Sequence, residues 1–458
     1  MTALYFLLPH KFRWALLLVA SIIFYIDFIP SYIFILAFLI LVDYVAAIFI
    51  ERAQGMRRKI FLIVSIVANV GLLATFKYYN FFVENLTILA GIIHWNYSLP
   101  TLALILPLGL SFHTFQAMSY TIEVYRGKVK SERHLGIYAL YVLFYPRLAA
   151  GPIERPQTLL SQFYEKHEID WARIGSGLRL MLFGFFKKIV IADNIALIVD
   201  RVYNYPTQFQ GASLIFASVL FTFQLYADFS GYSDIAIGSA KVMGFNLTKN
   251  FNRPFASKSI SEFWQRWHIS LSSWFRDYLY FPLGGSRVSA VRWLFNIMIV
   301  FMISGLWHGA QWTFIIWGAL HGFYIVSEKF LKKLVGRIWN FLQIPATFGF
   351  TVFAFIFFRA NSLKDALYII SHSFTGLSWN ISMEQFARSL GVAPFTIFQI
   401  AIALIFMEII QFIDRDGVVL DTVSKRPFWI RWTVYNALIL AIIFFGYFGE
   451  RQFIYFQF

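Results

Sequence analysis

The sequence predicts an all-α protein that crosses a membrane many times. Of its 458 residues, 59% are hydrophobic and only 14% are charged, whereas an average soluble domain has roughly 25% charged residues. Apolar segments that approach the length needed to cross a hydrocarbon core, about 20 residues, recur along the whole chain. We therefore expect a polytopic integral membrane protein with about nine to thirteen membrane segments, some of them re-entrant or interfacial.

The membrane segments follow one another without a soluble domain, a repeat or a low-complexity linker. The first apolar stretch is short, carries Lys11 and Arg13, and lacks a small-residue cleavage site, so we expect no cleavable signal peptide. The strongest apolar segments lie near 31–50, 60–82, 101–123, 177–199, 211–227, 310–327, 345–358, 395–413 and 433–448, and weaker ones lie near 11–29, 135–150, 230–245 and 291–306.

The net charge of +15 arises mainly from basic loops between the apolar segments. By the positive-inside rule, we expect these loops on the cytoplasmic side, where they also attract anionic membrane lipid. The tail 449–458 then falls on the outer side, because the last span starts from a basic loop. A nucleic-acid partner is not expected, since the basic residues are scattered rather than gathered on one soluble surface. The basic clusters occupy 51–59, 126–133, 241–292, 329–337 and 425–431.

Charged side chains inside apolar segments are costly and therefore need an explanation. Asp228 and Asp234 lie in the stretch LYADFSGYSDIAIG, where Gly231 is expected to break a helix. The two aspartates either support a site in a cavity or belong to a satisfied structural network. Lys187 and Lys188 lie at a predicted membrane edge, where we expect their ammonium groups to extend to the interface.

A second polar stretch, SISEFWQRWHISLSSWFRDYLYFPLGGS, predicts one helix in the membrane interface over 260–280. Aromatic side chains recur on one side of this helix, and arginines lie on the other. Trp264 and Trp267 could pack on an adenine ring, while Arg266 and Arg276 could pair with phosphate. The arginines could instead form structural ion pairs.

His268, His308 and His321 lie within or beside apolar segments. If 304–322 forms one continuous helix, the residues from His308 to His321 turn through about 1,300° and rise about 20 Å, so these two rings cannot share a site. One of them would then need His268 or the two aspartates as a partner. Each histidine could instead be structural, with a hydrogen bond to a carbonyl group.

Six motifs occur together in the order typical of one enzyme family. They are SYTIEVYRG, AAGPIERP, LYADFSGYSDIAIG, NFNRPF, EFWQRWHISLSSWFRDYLYFPLGG and SGLWHGAQWTFIIWGALHG. From about residue 100 onward the chain resembles the membrane-bound O-acyltransferase family, in its bacterial alginate O-acetyltransferase branch. The resemblance implies the fold of this family, a location in the bacterial inner membrane, and a single membrane domain over 1–458. Its expected parts are N-terminal spans in 1–100, a catalytic core in 101–340, and C-terminal spans with an outward-facing tail in 341–458.

The resemblance also implies a reaction, which is O-acetylation of an extracytoplasmic polysaccharide, alginate or similar, through a partner protein outside the membrane. Acetyl would come from cytoplasmic acetyl-CoA, whose phosphates should meet the basic 241–292 face. On the family pattern His308 is the catalytic base, His268 is a second catalytic position, and His321 has a supporting role. Neutral imidazole suits a base near pH 7, and His268 could orient the acceptor or stabilise the oxyanion. With zero cysteines a thiolate nucleophile is excluded, and neither a metal nor an acyl-serine intermediate is expected.

The tail RQFIYFQF is unusually apolar for the end of a chain. Its aromatic residues could simply anchor it at the outer interface. The tail is also similar to the Phe-Ile-Tyr-Phe ending of the small membrane protein that accompanies the related D-alanine-transfer acyltransferase. That resemblance implies that Tyr455 presents its hydroxyl to His308 and carries acetyl as a phenolic ester.

Two other classes of protein share parts of this pattern. A transporter or channel also has broken helices and intramembrane charged residues, and it would show substrate flux without release of CoA. A non-catalytic subunit of a polysaccharide-secretion complex would retain its function after loss of His308. The motif set favours the enzyme over both.

Overall fold

A computed structural model describes residues 1–27, 30–95, 97, 99–104, 107, 109–148, 151–331, 339–377, 382–413 and 421–456. Within these residues every regular element is a helix, as the sequence predicts. Some predicted features fall outside the described residues, namely Ala149 and Ala150 of AAGPIERP, Lys332, Lys333 and Arg337 of the fourth basic cluster, and the last two residues of the tail.

Seven helices of the described chain are long and apolar enough to cross a membrane. The other predicted segments form shorter or interrupted helices; for example, a π-helical segment, Phe186–Ala192, interrupts the apolar run 177–199. Such interruptions are compatible with the re-entrant segments expected from the sequence. The seven are Pro30–Arg52, Gly55–Ile92, Ala212–Met243, Ala290–His308, Phe341–Arg359, Pro394–Ile413 and Phe428–Phe445.

The chain forms two compact units. The first unit comprises Met1–Gly175 and Ser239–Thr248. Its core contains tyrosines in contact, with the ring centroids of Tyr120 and Tyr138 separated by 4.5 Å. Its helices are α1 (Thr2–Leu7), α2 (His10–Ile26), α3 (Ile33–Arg52), α4 (Gly55–Leu73), α5 (Tyr79–Ile92), α6 (Leu110–Tyr125), α7 (Leu135–Leu143), α8 (Tyr145–Leu148) and α9 (Pro156–Leu159).

The second unit comprises Ser176–Gly238 and Lys249–Phe458. It contains all the histidines, aspartates and aromatic residues that the sequence analysis assigns to a site. Its helices are α10 (Trp171–Phe185), α11 (Asp193–Asn204), α12 (Ala212–Met243), α13 (Ile260–Arg266), α14 (Ile269–Phe275), α15 (Ala290–His308), α16 (Trp312–Leu331), α17 (Trp339–Arg359), α18 (Leu363–His372), α19 (Met383–Ser389), α20 (Pro394–Ile413), α21 (Asp421–Ser424) and α22 (Phe428–Phe445), of which α10 and α12 each have one end assigned to the first unit.

Helix α12 runs unbroken through Gly231, so the predicted break at this glycine is wrong. Gly231 instead allows two backbones to approach closely, because a Cβ atom there would lie 2.8 Å from the carbonyl oxygen of Gly184. The missing side chain brings α12 against the segment that carries Lys187 and Lys188. A glycine inside an apolar helix therefore marks a packing contact here and not a kink.

Candidate active site

The motif SGLWHGAQWTFIIWGALHG forms a helical hairpin and not the continuous helix considered from the sequence. Helix α15 ends at His308 and α16 begins at Trp312. The two helices pack closely, since a Cβ atom on Gly305 would lie 2.2 Å from the carbonyl oxygen of Phe314. The expected separation of about 20 Å between His308 and His321 rested on a straight helix and is therefore wrong.

The indole of Trp317 contacts both histidine rings of the hairpin. Its centroid is 4.9 Å from that of His308 and 5.1 Å from that of His321. Both histidines are buried. His321 also accepts a hydrogen bond at Nδ1 from the indole N–H of Trp264, at 3.3 Å. This bond fixes the ring of His321. A supporting role for His321 stays a prediction.

His268 lies where the predicted interfacial helix 260–280 is broken, so that helix is not continuous. Helix α13 ends before Trp267, and His268 has a left-handed backbone with φ of 44°. Few non-glycine residues adopt this conformation, because it brings Cβ close to the backbone. The turn directs the imidazole inward, and the side chain is completely buried. A search for helical periodicity alone could not find this break, since the aromatic spacing continues through it.

The tautomer of His268 follows from its contact with Asn250. The backbone N–H of Ser270 donates to Asn250 Oδ1 at 3.2 Å, which identifies that atom as the oxygen. His268 Nδ1 lies 3.1 Å from the same oxygen and must therefore donate to it. Burial lowers the pKa of the His268 imidazole to about 3, so the ring is neutral at physiological pH. Its Nε2 atom is then a hydrogen-bond acceptor.

The C-terminal tail folds back onto these histidines. The ring centroid of Tyr455 is 5.6 Å from that of His308 and 6.3 Å from that of His268. The rings of Phe229 and Phe358 also contact Tyr455, with centroids at 4.5 Å and 6.4 Å, and Phe453 stacks on it at 5.5 Å. Burial raises the pKa of the Tyr455 phenol above its usual value, so the hydroxyl keeps its proton at neutral pH. The structure thus brings together His308, His268 and Tyr455, which the sequence analysis had singled out in three separate segments.

Lys187 and Lys188 form buried ion pairs and do not extend to the interface as predicted. Lys187 Nζ lies 2.6 Å from a carboxylate oxygen of Asp234. Lys188 Nζ lies 2.8 Å from Asp228 and 2.9 Å from Asp193. The sequence-based expectation failed because these pairs join α12 to the π-helical segment, a long-range contact that local polarity does not reveal. Both aspartates thus belong to a paired network, and Asp228 also lines a cavity, so for Asp228 the two readings hold together.

A cavity of about 770 Å³ opens beside the tail. Its wall includes Ile454, the residue immediately before Tyr455, and the ion-paired side chains of Lys188 and Asp228. A cavity of this size can admit a side chain or a small ligand beside Ile454. The full lining is Lys188, Ala192, Asp193, Ala196, Asp200, Gln224, Asp228, Tyr447, Glu450, Arg451, Gln452 and Ile454.

The four residues expected to bind a cofactor have different environments. Trp267 is only 2% exposed and stacks on Phe263 with centroids 5.4 Å apart, so its ring is covered within the protein. Arg266 pairs with Glu262 at 2.6 Å, in line with the structural alternative. Arg276 pairs with its neighbour Asp277 but keeps 58% of its side chain exposed.

Arg276 and Trp264 share a small pocket of about 130 Å³. The pocket is mainly apolar, and its wall extends to Ser304, one helical turn before His308. It is therefore a candidate path for the thioester end of a donor. The complete lining is Trp264, Leu271, Ser272, Phe275, Arg276, Tyr280, Ile297, Val300, Phe301 and Ser304.

Comparison with known proteins shows the family of the chain. Residues 131–370 match the membrane-bound O-acyltransferase (MBOAT) family. The chain is 36% identical to the probable alginate O-acetylase AlgI of Pseudomonas aeruginosa, over 90% of this chain and 79% of the relative. The chain belongs to the membrane-bound O-acyltransferase family. It is accordingly a membrane O-acyltransferase, and it is a multi-pass protein of the bacterial inner membrane.

Two further MBOAT relatives have names that refer to other polymers. The peptidoglycan O-acetyltransferase of Helicobacter pylori is 37% identical over 77% of this chain and 72% of its own length. The teichoic acid D-alanyltransferase of Bacillus subtilis is 30% identical over 56% of this chain and 69% of its own length. The similarity therefore extends across relatives whose names differ in both acyl group and acceptor.

Two residues that contact the site were not singled out from the sequence. Asn250 fixes the tautomer of His268, and its only signal was its place in the motif NFNRPF. Asp200 binds Arg451 and Arg359, at 2.5 Å and 3.0 Å, and had no local signal at all. Both act through contacts between distant parts of the chain.

Proposed function

We propose that this protein is an O-acetyltransferase that takes acetyl from cytoplasmic acetyl-CoA for O-acetylation of an extracytoplasmic polysaccharide, alginate or similar. The final transfer would use a partner protein outside the membrane. The names of the relatives support acetyl as the acyl group and an envelope polysaccharide as the acceptor. The observation that carries the mechanism is the position of Tyr455 beside His308 in a buried aromatic pocket.

In the first step, the Tyr455 hydroxyl attacks the thioester carbonyl carbon. His308 removes the phenolic proton, which is needed because the buried phenol does not ionise by itself. The tetrahedral intermediate collapses with cleavage of the C–S bond, and the CoA thiolate takes the proton back from His308. The products are the phenolic ester on Tyr455 and free CoA.

In the second step, a hydroxyl of the partner attacks the ester carbonyl. His308 again removes a proton, now from the attacking hydroxyl, and returns it to the departing phenolate. A phenolate is a better leaving group than an alkoxide, so the acetyl group moves on without a cofactor. The cavity beside Ile454 is the route by which that hydroxyl would approach.

In this scheme His268 has only one of the two roles that the sequence analysis left open. The neutral Nδ1–H tautomer leaves no proton on Nε2 for an oxyanion, which argues against oxyanion stabilisation. A ring whose pKa is about 3 is also a weak base. His268 would instead position the tyrosine, because its buried ring lies beside Tyr455 and packs on Phe229, which also packs on Tyr455.

The test is a reaction of the purified protein in sealed vesicles with labelled acetyl-CoA. We expect CoA release and one acetyl group on the tail when acetyl-CoA is supplied on the side that exposes Arg276. The same reaction with acetyl phosphate serves as the control for non-enzymatic acetylation. Passage of label across the membrane without CoA release would identify a transporter and contradict the proposal.

Charge reversal at Arg276 tests the donor side. The Arg276→Glu variant should raise the KM for acetyl-CoA about tenfold, because it replaces a possible partner of the CoA phosphates with a repelling carboxylate. The effect should weaken at high salt. Arg388→Glu is the matched control, since Arg388 is an exposed arginine that pairs with Glu384 on α19, away from the pocket. An unchanged KM in the Arg276 variant would make Arg276 a structural residue.

A further inference from the structure

The tail reaches the site through a series of specific contacts. Arg451 enters an ion pair with Asp200 at 2.5 Å, and Arg359 binds the same carboxylate at 3.0 Å. Two residues later, the fully buried ring of Phe453 packs on Tyr232, with centroids 4.4 Å apart. The tail is therefore bound within the described structure and is not merely lying on a surface.

The contact nearest to Tyr455 is made by Asp228. One carboxylate oxygen, Oδ2, accepts the backbone N–H of Ile454 at 2.8 Å. The other, Oδ1, lies 2.8 Å from Lys188 Nζ, and Lys188 is held on its far side by Asp193. Asp228 thus joins a buried cation to the peptide group that immediately precedes Tyr455.

We propose that Asp228 is the positioning residue of the tail, which fixes Tyr455 beside His308 by binding the Ile454 N–H with one oxygen and Lys188 with the other. This inference rests on the proposed function only for its catalytic consequence. A hydrogen bond to a charged acceptor is stronger than one between neutral groups, and burial excludes water from competing for the N–H. The ion pair with Lys188 orients the carboxylate.

The position of the tail can be measured without any catalysis. The chain contains no cysteine, so a Tyr455→Cys variant has one thiol, and its labelling by a water-soluble maleimide reports exposure of the tail. Adding Asp228→Ala should accelerate labelling by roughly ten- to a hundredfold, the range expected for losing a hydrogen bond to a charged group. Asp193→Asn is the matched control, because it removes a carboxylate from Lys188 but leaves the Ile454 contact in place; labelling should stay slow. Equal labelling with and without Asp228 would overturn the proposal.

A second pair of variants covers the case in which Asp228→Ala does not fold. Ile454→Pro removes the N–H donor at the first residue of a 3₁₀ turn, where proline is tolerated, and leaves the Asp228–Lys188 pair intact. Ile454→Val keeps the donor and loses one methylene group. Fast labelling in the proline variant alone supports the hydrogen bond. Equally fast labelling in both would show that side-chain packing holds the tail, against the proposal.

Kinetics separate positioning from general loss of structure. With Tyr455 present, Asp228→Ala should lower the rate of tail acetylation while leaving the KM for acetyl-CoA unchanged, because the donor is expected from the other side. A raised KM with an unchanged maximal rate would contradict a positioning role. If Tyr455→Phe proves fully active, the acyl relay fails, yet the thiol labelling still decides whether Asp228 holds the tail.

Discussion

Replacement of His308 by alanine is expected to abolish acetyl transfer. The variant retains the cavity and Tyr455 but lacks the group that removes the phenolic proton, and loss of such a base typically costs about 10²- to 10⁴-fold in rate. Raising the pH to about 10, where an ordinary tyrosine ionises, should not restore activity, because burial raises the pKa of the Tyr455 phenol above that value. The measurement is the rate of CoA release by the purified variant in detergent.

The controls for His308→Ala come from other histidines of the same unit. His372 ends α18 and stacks on Tyr368, outside the site, so His372→Ala should leave CoA release unchanged. His268→Ala should reduce the rate severely, since it removes a buried ring that positions Tyr455. His321→Ala should cost less, because Trp317 separates it from the reacting groups. Near wild-type CoA release by the His308 variant, with an unchanged melting temperature, would refute its role as the base.

The sequence predicts the membrane class and several site residues for clear physical reasons. Apolar runs of membrane length are a local property, and the fold confirms their helical form. Histidine in an apolar segment is costly enough to stand out by itself, which is why His308 and His321 were found. The resemblance to the MBOAT family, which rests on the order of the motifs, added the proposed roles of these histidines.

The sequence could not predict where helices break or which charged residues pair. The hydrophobic pattern continues through His268 and across the His308 turn, although the chain changes direction at both places. Conversely, Gly231 suggested a break where α12 continues. Lys188 and Asp228 are 40 residues apart and meet only through helix packing. Periodicity describes one helix at a time, whereas these features depend on what the helix packs against.

Replacement of Tyr455 by phenylalanine should separate an acyl carrier from a membrane anchor. Phenylalanine keeps the ring that packs on Phe229, so the tail should stay in place, but it removes the only atom able to form the ester. After incubation with acetyl-CoA, mass spectrometry of the C-terminal peptide should find one acetyl group on the wild type and none on the variant. Polysaccharide acetylation by the Tyr455→Phe variant should also fall to background.

The matched control for Tyr455→Phe is Tyr435→Phe, which removes a phenolic hydroxyl from α22 instead of the tail. It should retain both tail acetylation and polysaccharide acetylation. Tyr455→Phe leaves the Ile454 N–H and its acceptor Asp228 in the chain, so we expect the tail to stay bound, and slow thiol labelling of the tail is the check. Full polysaccharide acetylation by Tyr455→Phe would mean that His308 activates the final acceptor directly and that the tyrosine is an aromatic anchor. An acetylated wild-type tail together with an inactive phenylalanine variant would establish the phenol as the group that carries acetyl between the two sides.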